Sequence, residues 1–297
     1  MRKLPDFSTI GSPLAIALHD AGAANLVIGW LKSGLMPDVR AHAGGPAELL
    51  WRKAFPQIAT MALSDALSGA VALVSGTGWA SDIEHDARKA AQSLGIKSIA
   101  VIDHWVNYAE RFVRNGERVW PDEFWVADEY ALEIALRTFP GKFVLQFPNY
   151  YVENQLRYLA HVEKTGEPEL LYVLEPMRAD WGRGIPGEFQ ALDYFIGRLP
   201  ELGLPAETVI NLRPHPSDPH GKYSNWIDLH SEMKIKLDTS LSIAESLGRA
   251  TWVAGCESFA LVLALMAGRK VYCTLPPWAP LCRLPHRGLI QLGRSSK

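Results

Sequence analysis

Short apolar runs recur along the chain, each ending in Gly, Asp, Asn or Ser and followed by a stretch whose apolar residues stand three and four apart. That alternation predicts parallel β-α units, because strands covered on both faces read as continuous apolar segments. In the first half the runs are 14–18, 38–43, 70–74, 98–102 and 123–127, with helical spacing over 26–33, 46–54 and 81–95. About five strands in one Rossmann-like domain are expected there. Pro148-Asn149-Tyr150-Tyr151 and the charged stretch to about Gly166 read as a connection, after which the pattern restarts with runs at 170–174, 208–212, 233–237, 251–254 and 270–273. The expected organisation is α/β, with Rossmann-like domains over 1–150 and 151–297. One large doubly wound sheet is the alternative.

Composition narrows the class without naming a function. The chain has 297 residues, 48% hydrophobic and 21% charged, and 30 basic against 32 acidic side chains leave a net charge of −2. Such values exclude disorder, collagen and coiled coil, and argue against nucleic acid as the main partner. The longest apolar run, Ser258 to Ala267, falls short of the ~20 residues of a membrane span. The basic N-terminus has too short an apolar segment for a cleaved signal peptide. Cys256, Cys273 and Cys282 lack Cys-x-x-Cys spacing and read as thiols of a reducing cytoplasm.

The most specific local signal is Arg213-Pro214-His215-Pro216, directly after an apolar run. Two prolines nearly fix the backbone around His215, at a strand's C-terminal edge where α/β folds present side chains. An imidazole there can donate to a phosphate oxygen, with Arg213 adding a permanent charge; a rigid turn with a packed histidine is the other reading. The second signal is Gly255-Cys256-Glu257-Ser258-Phe259, a strand turning into a helix whose first amides suit a phosphate. Glu257 is in reach of a ribose hydroxyl, and Ser258 reads equally well as a plain N-cap.

In this order and spacing, RPHP, then SLSIAESLGRA, then the glycine turn, Ser258 helix and GRKVY resemble the second domain of GT-B bacterial transferases that use cytidine-nucleotide donors. Those are the capsule β-Kdo transferases, the bacterial sialyltransferases with a His-Pro motif and, more distantly, the polyol-phosphate transferases of teichoic acid synthesis. The likeness spans roughly Val209 to Thr274. It implies a donor cleft between two Rossmann-like domains, with His215 and Ser258 on the donor phosphate. The acidic residue often found within the later helix falls at Leu263, so Glu257 or Glu245 would have to serve the ribose.

The first half supplies candidates for a base and an acceptor site. His19-Asp20-Ala21-Gly22-Ala23-Ala24-Asn25 follows the first run, and its small residues let amides approach a ligand. The spacing is not G-x-G-x-x-G, which disfavours NAD. Sugar transfer to a hydroxyl needs a general base; Asp20 is the first choice, Asp103 the second, with His19 and His104 beside them. Trp105, Tyr108, Trp120 and Trp125 interleave with Arg111, Arg114 and Arg118, which suits either sugar stacking with an acidic acceptor or a core. No Asp-x-Asp clamp, Walker loop, H-E-x-x-H or G-x-S-x-G motif is present.

These readings converge on a metal-independent GT-B glycosyltransferase without a cofactor. The favoured donor is a CMP-linked Kdo or nonulosonic acid, the acceptor a bacterial surface polysaccharide, lipid-linked glycan or glycoprotein. A cytoplasmic site is expected, with peripheral contact to anionic lipid through Arg283, Arg287, Arg294 and Lys297. A sugar-nucleotide epimerase or hydrolase, and a non-catalytic sugar-nucleotide or glycan binder, remain as alternatives on the same fold.

Overall fold

The computed structural model describes residues 4–34, 36–79, 81–164, 166–177 and 179–293. The chain divides into two compact units, Met1–Tyr151 and Val152–Lys297. Arg294 and Lys297 of the expected basic tail lie outside the described residues.

The first unit runs α1 (Phe7–Ile10), β1 (Leu14–Leu18), α2 (Ala21–Ser33), β2 (Val39–Ala43), α3 (Gly45–Ala54), α4 (Leu63–Leu67), β3 (Ala72–Ser75), α5 (Ile83–Ser93) and β4 (Lys97–Ile102). A two-stranded hairpin of β5 (Val113–Arg114) and β6 (Glu117–Arg118) follows, then β7 (Glu123–Val126), α6 (Glu129–Thr138) and β8 (Phe143–Gln146). Apart from the hairpin, the strands form one parallel sheet in the order β2-β1-β3-β4-β7-β8. It has six strands where the sequence predicted about five. The added β8 is an edge strand whose four residues alternate exposed and half-buried, with Phe143 69% exposed, unlike the fully buried central strands. All five residues of β1 are buried, as its unbroken apolar run requires.

Helix α2 begins at Ala21, so the small residues Ala21, Gly22, Ala23 and Ala24 make up its first turn. Gly22 is required there because a Cβ would collide with the Asp103 carboxylate. The aromatic residues read for sugar stacking are largely core. Trp125 packs against Trp30, Phe7 and Phe147, and Trp105 and Tyr108 are buried. Trp120 joins Phe112, Phe124 and Phe139 in a second aromatic cluster. Helix α7 (Tyr150–Leu159) leads into the second unit.

That unit runs β9 (Glu169–Val173), α8 (Gly187–Arg198), β10 (Val209–Arg213), α9 (Ser224–Asp228), β11 (Ile235–Leu237), α10 (Ile243–Arg249), β12 (Trp252–Gly255), α11 (Phe259–Met266), β13 (Lys270–Cys273) and β14 (Leu289–Gln291). Its parallel sheet has the order β11-β10-β9-β12-β13-β14, the arrangement of nucleotide-binding Rossmann sheets. In each sheet the chain reverses its direction of travel at one place: between β1 and β3 in the first unit, between β9 and β12 in the second. Open α/β sheets bind ligands outside the carboxyl ends of the strands at that switch point. Among the described residues no helix is long and apolar enough to cross a membrane.

Gly255, the last residue of β12, lies at the second switch point. A Cβ there would stand 2.8 Å from the Val173 carbonyl oxygen and 3.3 Å from the Leu261 side chain. Gly255→Ala must therefore push backbone against backbone, and is expected to lower the unfolding free energy by about 1–3 kcal/mol in denaturant titration.

Candidate functional site

At the first switch point, His19 and Asp20 end β1 and open α2. Asp20 occupies the N-cap position but makes no side-chain cap bond. Its Oδ1 instead meets His19 Nδ1 at 2.8 Å, and the two side chains keep 32% and 17% of their surface exposed. With Nδ1–H donated to the carboxylate, the neutral imidazole carries its lone pair on Nε2. Gly45 (φ +52°) keeps that nitrogen clear, since a Cβ there would lie 2.5 Å from it.

The strand ends are tied by a residue the sequence reading passed over. Glu84, 1% exposed on α5, accepts the His19 amide at 2.9 Å through Oε1 and the Gly78 amide through Oε2. Burial pushes its carboxyl up against the lowering effect of these two amides, and nearby Asp20 adds to the rise. Three arginines grip successive carbonyls of the loop after β3. Arg88 donates to Gly76 O at 2.7 Å, Arg111 to Thr77 O at 3.1 Å and Arg114 to Gly78 O. Arg111 and Arg114, read from sequence as acceptor contacts, are thus committed to the protein's own backbone. The overlooked signal lay in α5, where Glu84 and Arg88 share the helical face of buried Ala87 and Ala91. Charges at core-facing positions mark a built polar site.

Asp103, two strands from Asp20, pairs with Arg111 at 3.4 Å. Its carboxylate faces Gly22, so Asp103 packs against the start of α2. The His104 ring packs on Trp105 with centroids 5.2 Å apart, and Asn25 is half-buried one turn into α2. Asp20, His19, Gly22 and Asp103 therefore gather at one strand edge.

In the second unit His215 stands exposed after β10, one strand out from the switch point between β9 and β12. Its ring accepts the Ser217 amide on Nδ1 at 3.2 Å, with Ser217 Oγ at 2.7 Å. An accepting Nδ1 puts the proton of the neutral ring on Nε2, which becomes a hydrogen-bond donor. Asp218 holds the loop, accepting the His215 amide at 2.9 Å, the Tyr223 hydroxyl at 3.1 Å and Lys222 Nζ at 2.7 Å. Lys222 also pairs with Glu188 at 2.6 Å, and Glu188 accepts the Met177 amide. One lysine thus links the β10 loop to the β9 loop. Hydrogen bonds from Lys222, the His215 amide and Tyr223 hold the Asp218 carboxyl below its usual range despite its desolvation.

Arg213 is turned away from the His215 loop. It donates to Asp238 at 2.6 Å and Ser246 Oγ at 2.8 Å, inside a network that includes Arg249. Glu245, the other ribose candidate, pairs with the same Arg249 at 3.1 Å. Pro216 is exposed beside His215. Ser258 is the N-cap of α11, its Oγ accepting the Ala260 amide at 3.2 Å, and Phe259 is the first, half-buried residue of that helix. Glu257 is held by Arg283, whose amide lies 2.5 Å and whose Nη2 lies 2.9 Å from its carboxylate.

The amides ahead of α11 carry a carboxylate from the chain itself. Glu175, just beyond β9, accepts the Glu257 amide at 2.9 Å and an amide bond from Ser258. Sequence reading missed it, although it stands where the β9 run ends. Desolvation pushes its carboxyl up to about 7, with the neighbouring Glu257 charge adding to the rise.

No protein-family model and no curated protein matches this sequence. Solved structures do match the fold. MnaA of S. aureus, solved with UDP, superposes with a TM-score of 0.59 at 12% identity over 92% of this chain and 79% of its own. A UDP-GlcNAc 2-epimerase from Neisseria meningitidis bound to UDP-GlcNAc gives 0.57 at 9% identity over 88% and 81%. The UDP-GlcNAc 2-epimerase of Methanocaldococcus jannaschii gives 0.55 at 12% over 88% and 83%. The fold of this chain is accordingly GT-B-like, two Rossmann-like parallel-sheet domains in succession.

The raised Glu175 carboxyl has a consequence for stability. The unfolded chain releases this proton near the ordinary 4.5 and the folded chain near 7, so the folded state binds more protons between the two and loses stability as pH rises across that window. Glu175→Gln removes the titration. The wild type should lose roughly 3 kcal/mol relative to the variant between pH 4.5 and 7, measured by denaturant unfolding at each pH.

Proposed function

We propose that this chain is a GT-B enzyme acting on a nucleotide-activated sugar, and that it is a glycosyltransferase. The observation that carries this is the pair of strand-end imidazoles held in opposite tautomers. Asp20 leaves His19 with a basic Nε2, whereas the Ser217 amide leaves His215 with a donating Nε2–H. Transfer of a sugar to a hydroxyl needs one of each. The base takes the hydroxyl proton as the acceptor oxygen bonds to the anomeric carbon, and the donor stabilises the nucleotide phosphate that leaves with the electron pair of the broken C–O bond. In this scheme Asp20 orients His19 and stabilises its protonated form, and His215 contacts the donor phosphate. Protein donors alone serve the leaving group in this reading, and no metal or cofactor enters it. By the family resemblance the His-Pro loop favours a CMP-linked acidic sugar, and the acceptor is a bacterial glycan or glycolipid.

A second reading, a UDP-sugar 2-epimerase or hydrolase, is favoured by the fold neighbours, which are UDP-GlcNAc 2-epimerases. It predicts a product changed at C2, or free sugar, with no acceptor present.

Thermal unfolding with CMP, CDP, UMP, UDP and GDP, each added separately, tests nucleotide recognition. A nucleotide at 100 times its dissociation constant should add roughly 2.7 kcal/mol of stability. The expected result is a shift selective for CMP that His215→Ala abolishes. Asp20→Ala should keep the shift while transfer falls by ~10²–10⁴-fold. A UDP-only shift, with UDP-GlcNAc altered in the absence of acceptor, would replace the transferase with the epimerase. A protein unmoved by every nucleotide would overturn both.

A further inference from the structure

A groove of about 700 Å³ runs along α8, built wholly within the second unit and separate from the strand-end residues above. It is lined by Asp193, Tyr194, Gly197 and Arg198 of α8 together with Arg183 and Trp278 from the flanking loops. Trp278 is 40% exposed, yet its orientation is fixed, because its indole N–H donates to Gln190 Oε1 at 2.7 Å and its ring meets Tyr194 edge-on, centroids 5.7 Å apart. Exposed, rigidly held aromatic surface beside a cavity is what a ligand with an apolar face uses.

The polar groups restrict that ligand further. The Arg183 guanidinium lies 3.8 Å from the Trp278 ring centre and makes no ion pair with a carboxylate among the described residues. Among the described residues this cation, held against the indole, has no carboxylate partner. Arg198 sits over Tyr194 and is already paired with Glu201 at 2.7 Å. Asp193 spends Oδ1 on the Trp226 indole at 2.7 Å, which leaves Oδ2 to accept hydroxyl hydrogens. A carboxylate in the groove opposes dense polyanions such as nucleotide phosphates. What satisfies all of these groups is a ring with an apolar C–H face, several hydroxyl donors and a single negative charge.

Gly197 adds an independent argument. Glycine within a helix costs roughly 0.5–1 kcal/mol relative to alanine, and nothing lies within 4 Å of the place its Cβ would occupy. Packing does not require it. What glycine provides there is the open floor of the groove. We infer that this groove is a binding site for an acidic saccharide, a uronic or ulosonic acid residue, with its carboxylate on the Arg183 guanidinium that covers one face of Trp278 and its apolar C–H face on the indole surface left exposed. The site stands whether or not the catalytic reading above holds.

The test is direct binding to the full chain by isothermal titration calorimetry, with D-glucuronate and N-acetylneuraminate as ligands and N-acetylglucosamine and inorganic phosphate as comparators. Both acidic sugars should bind about tenfold more tightly than N-acetylglucosamine, and phosphate should not compete. Arg183→Gln should erase the acidic preference, Trp278→Ala should weaken acidic and neutral sugars alike, and Gly197→Leu, which favours the helix, should block binding while the chain stays folded by circular dichroism. His215→Ala should leave this binding unchanged, separating it from the strand-end site. Equal affinity for acidic and neutral sugars, displacement by phosphate, undiminished binding in Gly197→Leu, or no binding of any sugar would each overturn the assignment.

Discussion

Both halves of the molecule depend on the same interaction, a glutamate carboxylate seated on backbone amides where the sheet changes direction. Glu84 joins the ends of β1 and β3 by accepting the His19 and Gly78 amides, and Glu175, standing after β9, accepts the Glu257 amide beyond β12. Strand ends at a switch point diverge, leaving N–H groups that no ladder partner reaches. A carboxylate brought there by the chain satisfies them at the cost of its own solvation. In both cases desolvation outweighs the amide bonds, so both carboxyls are pushed up. His19 is placed by this scaffolding, since the Glu84 bond runs to its own backbone amide.

The strands were legible because they are buried on both faces, as β1 and β9 are throughout. The two sheets could therefore be placed by counting apolar runs. The added edge strands were not legible, since β8 alternates exposed and half-buried residues and β14 has only three. Candidate residues adjacent in sequence, such as His19-Asp20 and the RPHP loop, also came through, because a short motif carries its own geometry. Glu84 and Glu175 did not, because the distant strand ends they tie, at His19 and Glu257, lie 65 and 82 positions away and are held through backbone amides, which leave no mark on residue identity. For Arg111, Arg114 and Arg213 the sequence told the charge but not its partner. Each turned out to be committed inside the protein.

The two halves are similar in architecture but are not copies. The first sheet begins β2-β1-β3 and the second β11-β10-β9-β12, so the switch point falls after the second strand of the order in one and after the third in the other. The imidazole of the first half is accordingly carried by a strand beside its own switch point. That of the second is carried by β10, one strand farther out, and its loop needs the Asp218–Lys222–Glu188 chain to hold it.

The three arginine grips on the loop after β3 bear on how this edge meets a ligand. With the carbonyls of Gly76, Thr77 and Gly78 each held by a different guanidinium, and the Gly76 and Gly78 amides bonded to Ala17 O and Glu84, the loop has almost no backbone freedom left to lose. Amide hydrogens at Gly76 and Gly78 would exchange with solvent as slowly as those of the sheet, with or without a ligand bound. Little of a ligand's binding energy would then go into ordering this segment, and its association at this edge would be that of a rigid body with a finished surface.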